Sequence, residues 1–184
     1  APGSLPLGDG SLSSLAARLT EMTGARLVGV HEIAPDILAP EGLIGGPEPD
    51  RALAEAGVYA LSLAREAGTL DLGQAVVVAG RRPVALEDIA GTDALLRRVR
   101  GHRFLGFVTG NRAPLILAKA AKPKQPYFID LPAVGPVTVA RARQAGIRMI
   151  AVQADATILI ERHKLVAAAD AAAMPIIGLR IADG

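Results

Sequence analysis

The residues best placed to do chemistry lie in the segment from Lys119 to Pro136, which reads KAAKPKQPYFIDLPAVGP. Asp130 follows residues 127–129, an aromatic and β-branched triplet typical of a strand, and the Leu-Pro after it ends that strand. A carboxylate at a strand end lies where open α/β sheets bind their ligands. Upstream lysines would add positive charge for a phosphate; they are Lys119, Lys122 and Lys124. A turn-capping aspartate beside solvated lysines explains the same residues as well, so this segment alone leaves both readings open.

A second segment brings an amide, carboxylates and a hydroxyl close together in sequence. Residues 74–79 and 84–86 are predicted to form two strands of a hairpin, beginning at Gln74 and followed by Glu87. The Gly-Thr-Asp that follows predicts a helix start, with Thr92 as its N-cap and Asp93 in its first turn. The N-terminus of a helix also binds anions, so a phosphate at this turn is the alternative.

Taken together, these segments resemble the LpxI-type UDP-2,3-diacylglucosamine pyrophosphatases of lipid A biosynthesis. The motifs DLGQAVVV, VALEDIAGTDALLRR, KAAKPKQ and DLPAVGPVTVARARQAG occur in that family's order and spacing across roughly residues 70–180. Ala90 departs from the family, where a glutamate is expected before the Gly-Thr-Asp. Family members also carry a separate N-terminal domain, so the resemblance implies that these residues correspond to the part that follows it.

The resemblance implies an α/β fold with a mixed sheet and flanking helices. It also implies Mg²⁺-dependent hydrolysis of UDP-2,3-diacylglucosamine to UMP and 2,3-diacylglucosamine 1-phosphate, in the cytoplasm or peripheral to the inner membrane. The alternative is a C-terminal module that binds the substrate but is inactive without the N-terminal domain. A homodimer and a peripheral membrane contact stay open.

Hydrolysis of a pyrophosphate needs charge stabilisation, and Mg²⁺ prefers carboxylates together with phosphate oxygens. The chain has no cysteine and only three scattered histidines, which disfavours a zinc or thiolate mechanism. We therefore expect Asp130 to be catalytic and to bind the metal with Glu87 and Asp93. The expected substrate-binding residues are Gln74, Thr92, Lys122 and Gln125.

The composition argues against two other classes of protein. Aromatic residues make up 3% of the 184 residues and tryptophan is absent, so a stacking surface for nucleic acid is not expected. The net charge is only +2, and the short basic run at residues 97–100 is typical of a solvated helix face. No apolar run has the length of a membrane span, and no signal peptide is recognisable at the N-terminus.

The predicted organisation is a tail over residues 1–10, a preceding segment over 11–70 and a main domain over 71–184. Helices are predicted over residues 12–22, 51–67, 92–98, 137–145 and 161–173, from their apolar periodicity and Gly or Pro stops. The remaining strands are predicted over residues 26–30, 104–108, 115–118, 148–152, 157–160 and 175–178, and residues 34–49 are predicted as a loop.

Overall fold

A mixed six-stranded sheet forms the centre of the computed structural model, which describes residues 9–25, 27–108, 113–123 and 130–181. The strands are β1 (Gly42–Gly45), β2 (Ala75–Ala79), β3 (Arg82–Leu86), β4 (Leu115–Lys119), β5 (Ala133–Val134), β6 (Ile147–Gln153), β7 (Ile158–Leu159) and β8 (Ile176–Leu179). The helices are α1 (Asp9–Thr23), α2 (Val30–Ile33), α3 (Arg51–Thr69), α4 (Gly91–Phe104), α5 (Pro136–Ala145) and α6 (Arg162–Ala171), with a 3-10 turn at Pro35–Ile37.

The strand order is β1-β8-β6-β4-β2-β3. Strands β4, β6 and β8 run parallel to one another, whereas β1, β2 and β3 pair antiparallel with their neighbours. Strands β5 and β7 form a separate parallel pair. The predicted fold class, an α/β protein with a mixed sheet and flanking helices, is therefore confirmed.

The sheet is covered on both faces, and β4 shows how the sequence achieves this. Leu115 and Leu117 belong to the core shared with α4, α5 and α6, while Ile116 and Ala118 face the core shared with α3. Successive residues of a strand point to opposite faces, so a strand buried on both sides reads as a continuous apolar run. Each large apolar side chain buried in this way contributes about 1.5–3 kcal/mol.

Two elements before residue 71 share this core. Strand β1 pairs with β8 at the edge of the sheet, and α3 packs across β2, β4 and β6. Helix α3 begins at its N-cap Asp50, whose side chain accepts a hydrogen bond from the Leu53 amide at 2.8 Å. The stretch predicted as a loop over residues 34–49 thus contains an edge strand, which was not predicted because the stretch is rich in Gly and Pro.

Two strand predictions are wrong. The first covers residues 26–30, of which Arg26 lies outside the described residues. A helix begins at Val30 instead of a strand, because the Glu32 carboxylate accepts a hydrogen bond from the Gly29 amide at 3.1 Å and caps the helix. In the second, over residues 104–108, α4 continues to Phe104 and the chain then turns through Gly106 at φ 75°. Phe104, Leu105 and Phe107 are exposed there, and no strand in the described ranges pairs with them.

The predicted helices and the other described strands form within a few residues of their predicted ends, except that α4 continues past residue 98 to Phe104. Helix α5, for example, ends where Gly146 adopts φ 75°, the left-handed conformation that suits a glycine C-cap. Among the described residues, no helix combines the length and the apolar character that a membrane span requires.

Candidate active site

A cavity of about 500 Å³ opens beside the ends of three strands, where β3 and β4 end and β2 begins. The strand register explains this meeting, because Ala75 pairs with Lys119 and Val76 pairs with Leu86. The residues just beyond these pairs therefore come together although they are distant in sequence. The polar residues lining the cavity are Asp71, Gln74, Glu87, Asp88, Lys119, Lys122 and Asp130.

Four of the residues predicted from the sequence line this one cavity: Gln74, Glu87, Lys122 and Asp130. The Gln74 side-chain amide donates a hydrogen bond to Oδ2 of Asp130, 56 positions away in sequence. The backbone amide of Gln74 donates to Oε2 of Glu87 at 3.0 Å. Gln74 thus connects both carboxylates, and its amide group orients Asp130.

A chain of hydrogen bonds runs from Glu87 to a buried lysine at the floor of the cavity. The Thr92 hydroxyl donates to Oε1 of Glu87 at 2.5 Å and accepts from Nζ of Lys119 at 2.9 Å. Lys119 Nζ also donates to the Ala133 carbonyl oxygen at 3.0 Å. Burial lowers the pKa of Lys119, and the negative charges of Glu87 and Asp130 oppose that shift.

Of the two predictions made for Thr92, the structure contradicts the one that makes it an N-cap. Helix α4 begins after Ala90, which is its N-cap, so the prediction of Thr92 as N-cap is wrong. The Thr92 hydroxyl is already used by Glu87 and Lys119, and Thr92 is not among the residues lining the cavity. These two bonds favour a role in which Thr92 fixes the positions of Lys119 and Glu87, rather than one in which it binds the substrate directly.

Asp93 is separated from the other two carboxylates predicted to hold a metal. It forms an ion pair with Arg141 of α5 and does not line the cavity, because the first turn of α4 directs it toward the neighbouring helix. Within the described ranges, no three His, Cys, Asp or Glu side chains are grouped so that they could hold a metal ion. The predicted site of Glu87, Asp93 and Asp130 around one ion is therefore not formed there.

Lys122 lies at the cavity wall and is paired with a carboxylate of the same cavity. Its Nζ lies 2.6 Å from Oδ1 of Asp71. Gln125, also predicted to bind substrate, lies outside the described residues, as do Lys124 and the strand predicted over residues 127–129. Their roles stay predictions.

Two lining residues, Asp71 and Asp88, had received no site role from the sequence, and Lys119 had been considered only as one of three lysines that add positive charge. A signal for Lys119 was present, since a lysine that directly ends the apolar run LILA of β4 must lie where that buried strand meets the surface. Asp71 and Asp88 gave no comparable signal, because they stand in short polar connections.

The charges of the cavity leave a place for a cation. Asp71 is paired with Lys122, and Asp88 is paired with Arg98 at 2.6 Å. Among the described residues of the cavity, the two negative charges of Glu87 and Asp130 are then balanced only by the one positive charge of Lys119. Glu87 is engaged through both oxygens, whereas Oδ1 of exposed Asp130 has no recorded partner in the described part of the chain. This donor set fits a hard divalent cation, which takes one or two carboxylates and completes its shell with water or phosphate oxygens.

Comparison with known proteins places the same region in a known family. The model of the LpxI C-terminal domain matches residues 40–177. The UDP-2,3-diacylglucosamine pyrophosphatase LpxI of Caulobacter vibrioides is 35% identical over 183 residues, which cover 94% of this chain and 61% of that protein. The chain thus spans about three fifths of the length of this relative. With the cavity lying inside the matched residues, the chain belongs to the LpxI C-terminal domain family.

Proposed function

We propose that this chain carries the hydrolytic site of a UDP-2,3-diacylglucosamine pyrophosphatase, as the name of its Caulobacter relative suggests. The products would be UMP and 2,3-diacylglucosamine 1-phosphate. The observation that carries the proposal is the pairing of Asp130 with Gln74 in a cavity that also contains lysine side chains. This arrangement supplies a fixed carboxylate and cations, both of which pyrophosphate hydrolysis requires.

Asp130 is the residue that we assign to the attacking water. In hydrolysis, the water oxygen bonds to one phosphorus, the bridging P–O bond breaks, and the second phosphate leaves with the electron pair of that bond. A carboxylate can orient the water and accept its proton. The Gln74 amide donates to Oδ2 of Asp130, so we assign the other oxygen, Oδ1, to the water.

We also propose that Mg²⁺ is the cofactor and that Asp130 holds it, with Glu87 nearby as the second carboxylate. The ion would neutralise charge on the phosphate oxygens, which the carboxylates of the cavity otherwise repel. The remaining excess of negative charge around Glu87 and Asp130 supports this assignment.

The mouth of the cavity supports a substrate that is both anionic and apolar. Leu72 and Ile89 line the cavity and are 52% and 91% exposed, and Leu70 beside them is 70% exposed. A cavity with a polar floor and an apolar lip suits a phosphate head group attached to acyl chains. Because such a substrate lies in a bilayer, we propose that the chain works peripherally at the cytoplasmic face of the inner membrane.

The 184-residue chain can be tested directly with UDP-2,3-diacylglucosamine in mixed micelles. We expect UMP release in the presence of Mg²⁺ and its loss when EDTA removes the metal. Binding of the substrate without UMP release would support the alternative, a substrate-binding module that needs the rest of the longer protein for turnover. The absence of both binding and hydrolysis would contradict the proposed function.

A further inference from the structure

We propose that Lys119 binds the pyrophosphate group directly and is the principal anion-binding cation of the cavity, in place of the more accessible Lys122. The inference rests on the proposed function for the identity of the ligand. Its own basis is the geometry of the two lysines, which are both mostly buried but differ in their partners.

Lys119 has the position that an anion site requires. It is the last residue of β4, its side chain is only 7% exposed, and it nevertheless lines the cavity. A buried ammonium keeps more of its attraction for an anion than a solvated one, because less water screens the charge. Its position is also fixed by the strand, so little conformational entropy is lost when a phosphate binds.

The hydrogen-bond partners of Lys119 are neutral and leave donor capacity. An ammonium group has three N–H donors. Two of them are used by the Thr92 hydroxyl and the Ala133 carbonyl, and in the described part of the chain no ion pair engages the third. Lys119 can therefore add a phosphate oxygen without giving up a bond.

Lys122 is less suited to the same task. Its Nζ is already in an ion pair with Asp71 at 2.6 Å, so its charge is largely compensated within the protein. A phosphate would have to compete with that carboxylate. The sequence alone favoured Lys122, whereas the partners of the two side chains favour Lys119.

The test is the affinity of the chain for inorganic pyrophosphate in excess Mg²⁺, measured by calorimetry on the wild type, Lys119→Met and the matched variant Lys122→Met. We expect Lys119→Met to weaken binding about 10- to 100-fold, as for the loss of a charge-assisted hydrogen bond. Lys122→Met should change the affinity less than about 3-fold. Equal affinities of Lys119→Met and wild type would overturn the proposal, as would a wild-type chain that does not bind pyrophosphate.

A second measurement avoids dependence on the folding of Lys119→Met, which leaves Thr92 and Ala133 without their donor. In the wild-type chain, burial and two hydrogen bonds should make the Lys119 ammonium resonance observable by ¹H–¹⁵N NMR. Addition of pyrophosphate should shift that resonance, and an unchanged resonance at saturating pyrophosphate would contradict direct binding. Lys119-dependent pyrophosphate binding without binding or hydrolysis of UDP-2,3-diacylglucosamine would contradict the proposed function and leave this inference standing.

Discussion

At the scale of single residues, Gln74 shows how a contact changes the meaning of a sequence signal. The sequence predicted that Gln74 would bind the substrate, because its side-chain amide can form hydrogen bonds. In the structure its side-chain N–H groups are directed at Asp130, and its backbone amide bonds Glu87. We therefore interpret Gln74 as a positioning residue that acts through Asp130.

Replacement of Gln74 by Leu should separate these two roles. A positioning residue affects the turnover step, so kcat should fall about 10- to 100-fold with little change in KM. Steady-state hydrolysis of UDP-2,3-diacylglucosamine measures both constants. A raised KM with an unchanged kcat would show instead that Gln74 binds the substrate, as the sequence first suggested.

At the scale of elements, the connection between β3 and α4 supplies the apolar lip of the cavity. Ile89 stands in this connection, 91% exposed, immediately after the ion-paired Asp88. An isoleucine so exposed contributes nothing to the core. Ile89 and Leu72 both line the cavity, and we expect Ile89 to contact an apolar part of the ligand there.

We expect Ile89→Ser to lower kcat/KM for a long-chain substrate about 10- to 100-fold, because burial of an isoleucine against an acyl chain is worth roughly 1.5–3 kcal/mol. A short-chain analogue should be hydrolysed as well by the variant as by the wild type. Ile33→Ser is the matched control, since Ile33 is exposed but does not line the cavity. An equal loss with both substrates would contradict a contact between Ile89 and the acyl chains.

The backbone at Pro40 packs closely against Gly178 of β8. A Cβ at Gly178 would lie 1.9 Å from the Pro40 carbonyl oxygen, whereas a Cβ at Gly101 of α4 would meet no heavy atom within 4 Å in the described part of the chain. Gly178 pairs with Gly42 of β1 as well. The junction of β1 with the sheet therefore tolerates only glycine at residue 178.

Gly178→Ala should lower the free energy of unfolding by about 1–3 kcal/mol, as is typical of overpacking. The control Gly101→Ala should raise it by roughly 0.5–1 kcal/mol, because alanine is the better helix former. Chemical denaturation of both variants measures these changes. Gly178→Ala with the stability of the wild type would show that residues 40–42 move without cost.

At the scale of the whole molecule, the elements could be predicted from local signals better than the site could. Helix α3 and strand β4 follow from periodicity and capping within their own residues. The bond between Lys119 and Thr92 joins residues 27 positions apart, and it depends on the antiparallel pairing of β2 with β4. Periodicity carries no information about such a pairing, so the sequence indicated Asp130 and Gln74 separately but not their contact.

The same limit explains why Asp93 was predicted to hold a metal ion together with Glu87 and Asp130. Asp93 is close to Glu87 in sequence, and this proximity suggested a shared ion. The ion pair with Arg141 of α5 depends on how two helices pack, which no local pattern at residues 91–93 reveals.

The stability of the folded chain should depend on pH through Lys119. Burial lowers its pKa from the ordinary value of 10.5, so the unfolded chain binds more protons between the folded and the unfolded pKa. The free energy of unfolding of the wild type should therefore rise relative to that of Lys119→Met as the pH is raised from 7 toward 10. Urea unfolding at several pH values tests this, and parallel pH profiles of the two proteins would contradict it.

The most direct test of the central claim compares UMP release from UDP-2,3-diacylglucosamine by the wild type, Asp130→Asn and Asp170→Asn, at equal concentration and with Mg²⁺. Asp170 is an exposed aspartate outside the cavity whose Oδ1 accepts from the Gly46 amide, a bond that asparagine can also make. The account predicts that Asp130→Asn folds normally and loses at least about 1,000-fold in kcat, because both the charge for the metal and the base for the water disappear. Asp170→Asn should keep the wild-type rate. An Asp130→Asn variant as active as the wild type would show that Asp130 only ends a turn and that the chemistry lies elsewhere.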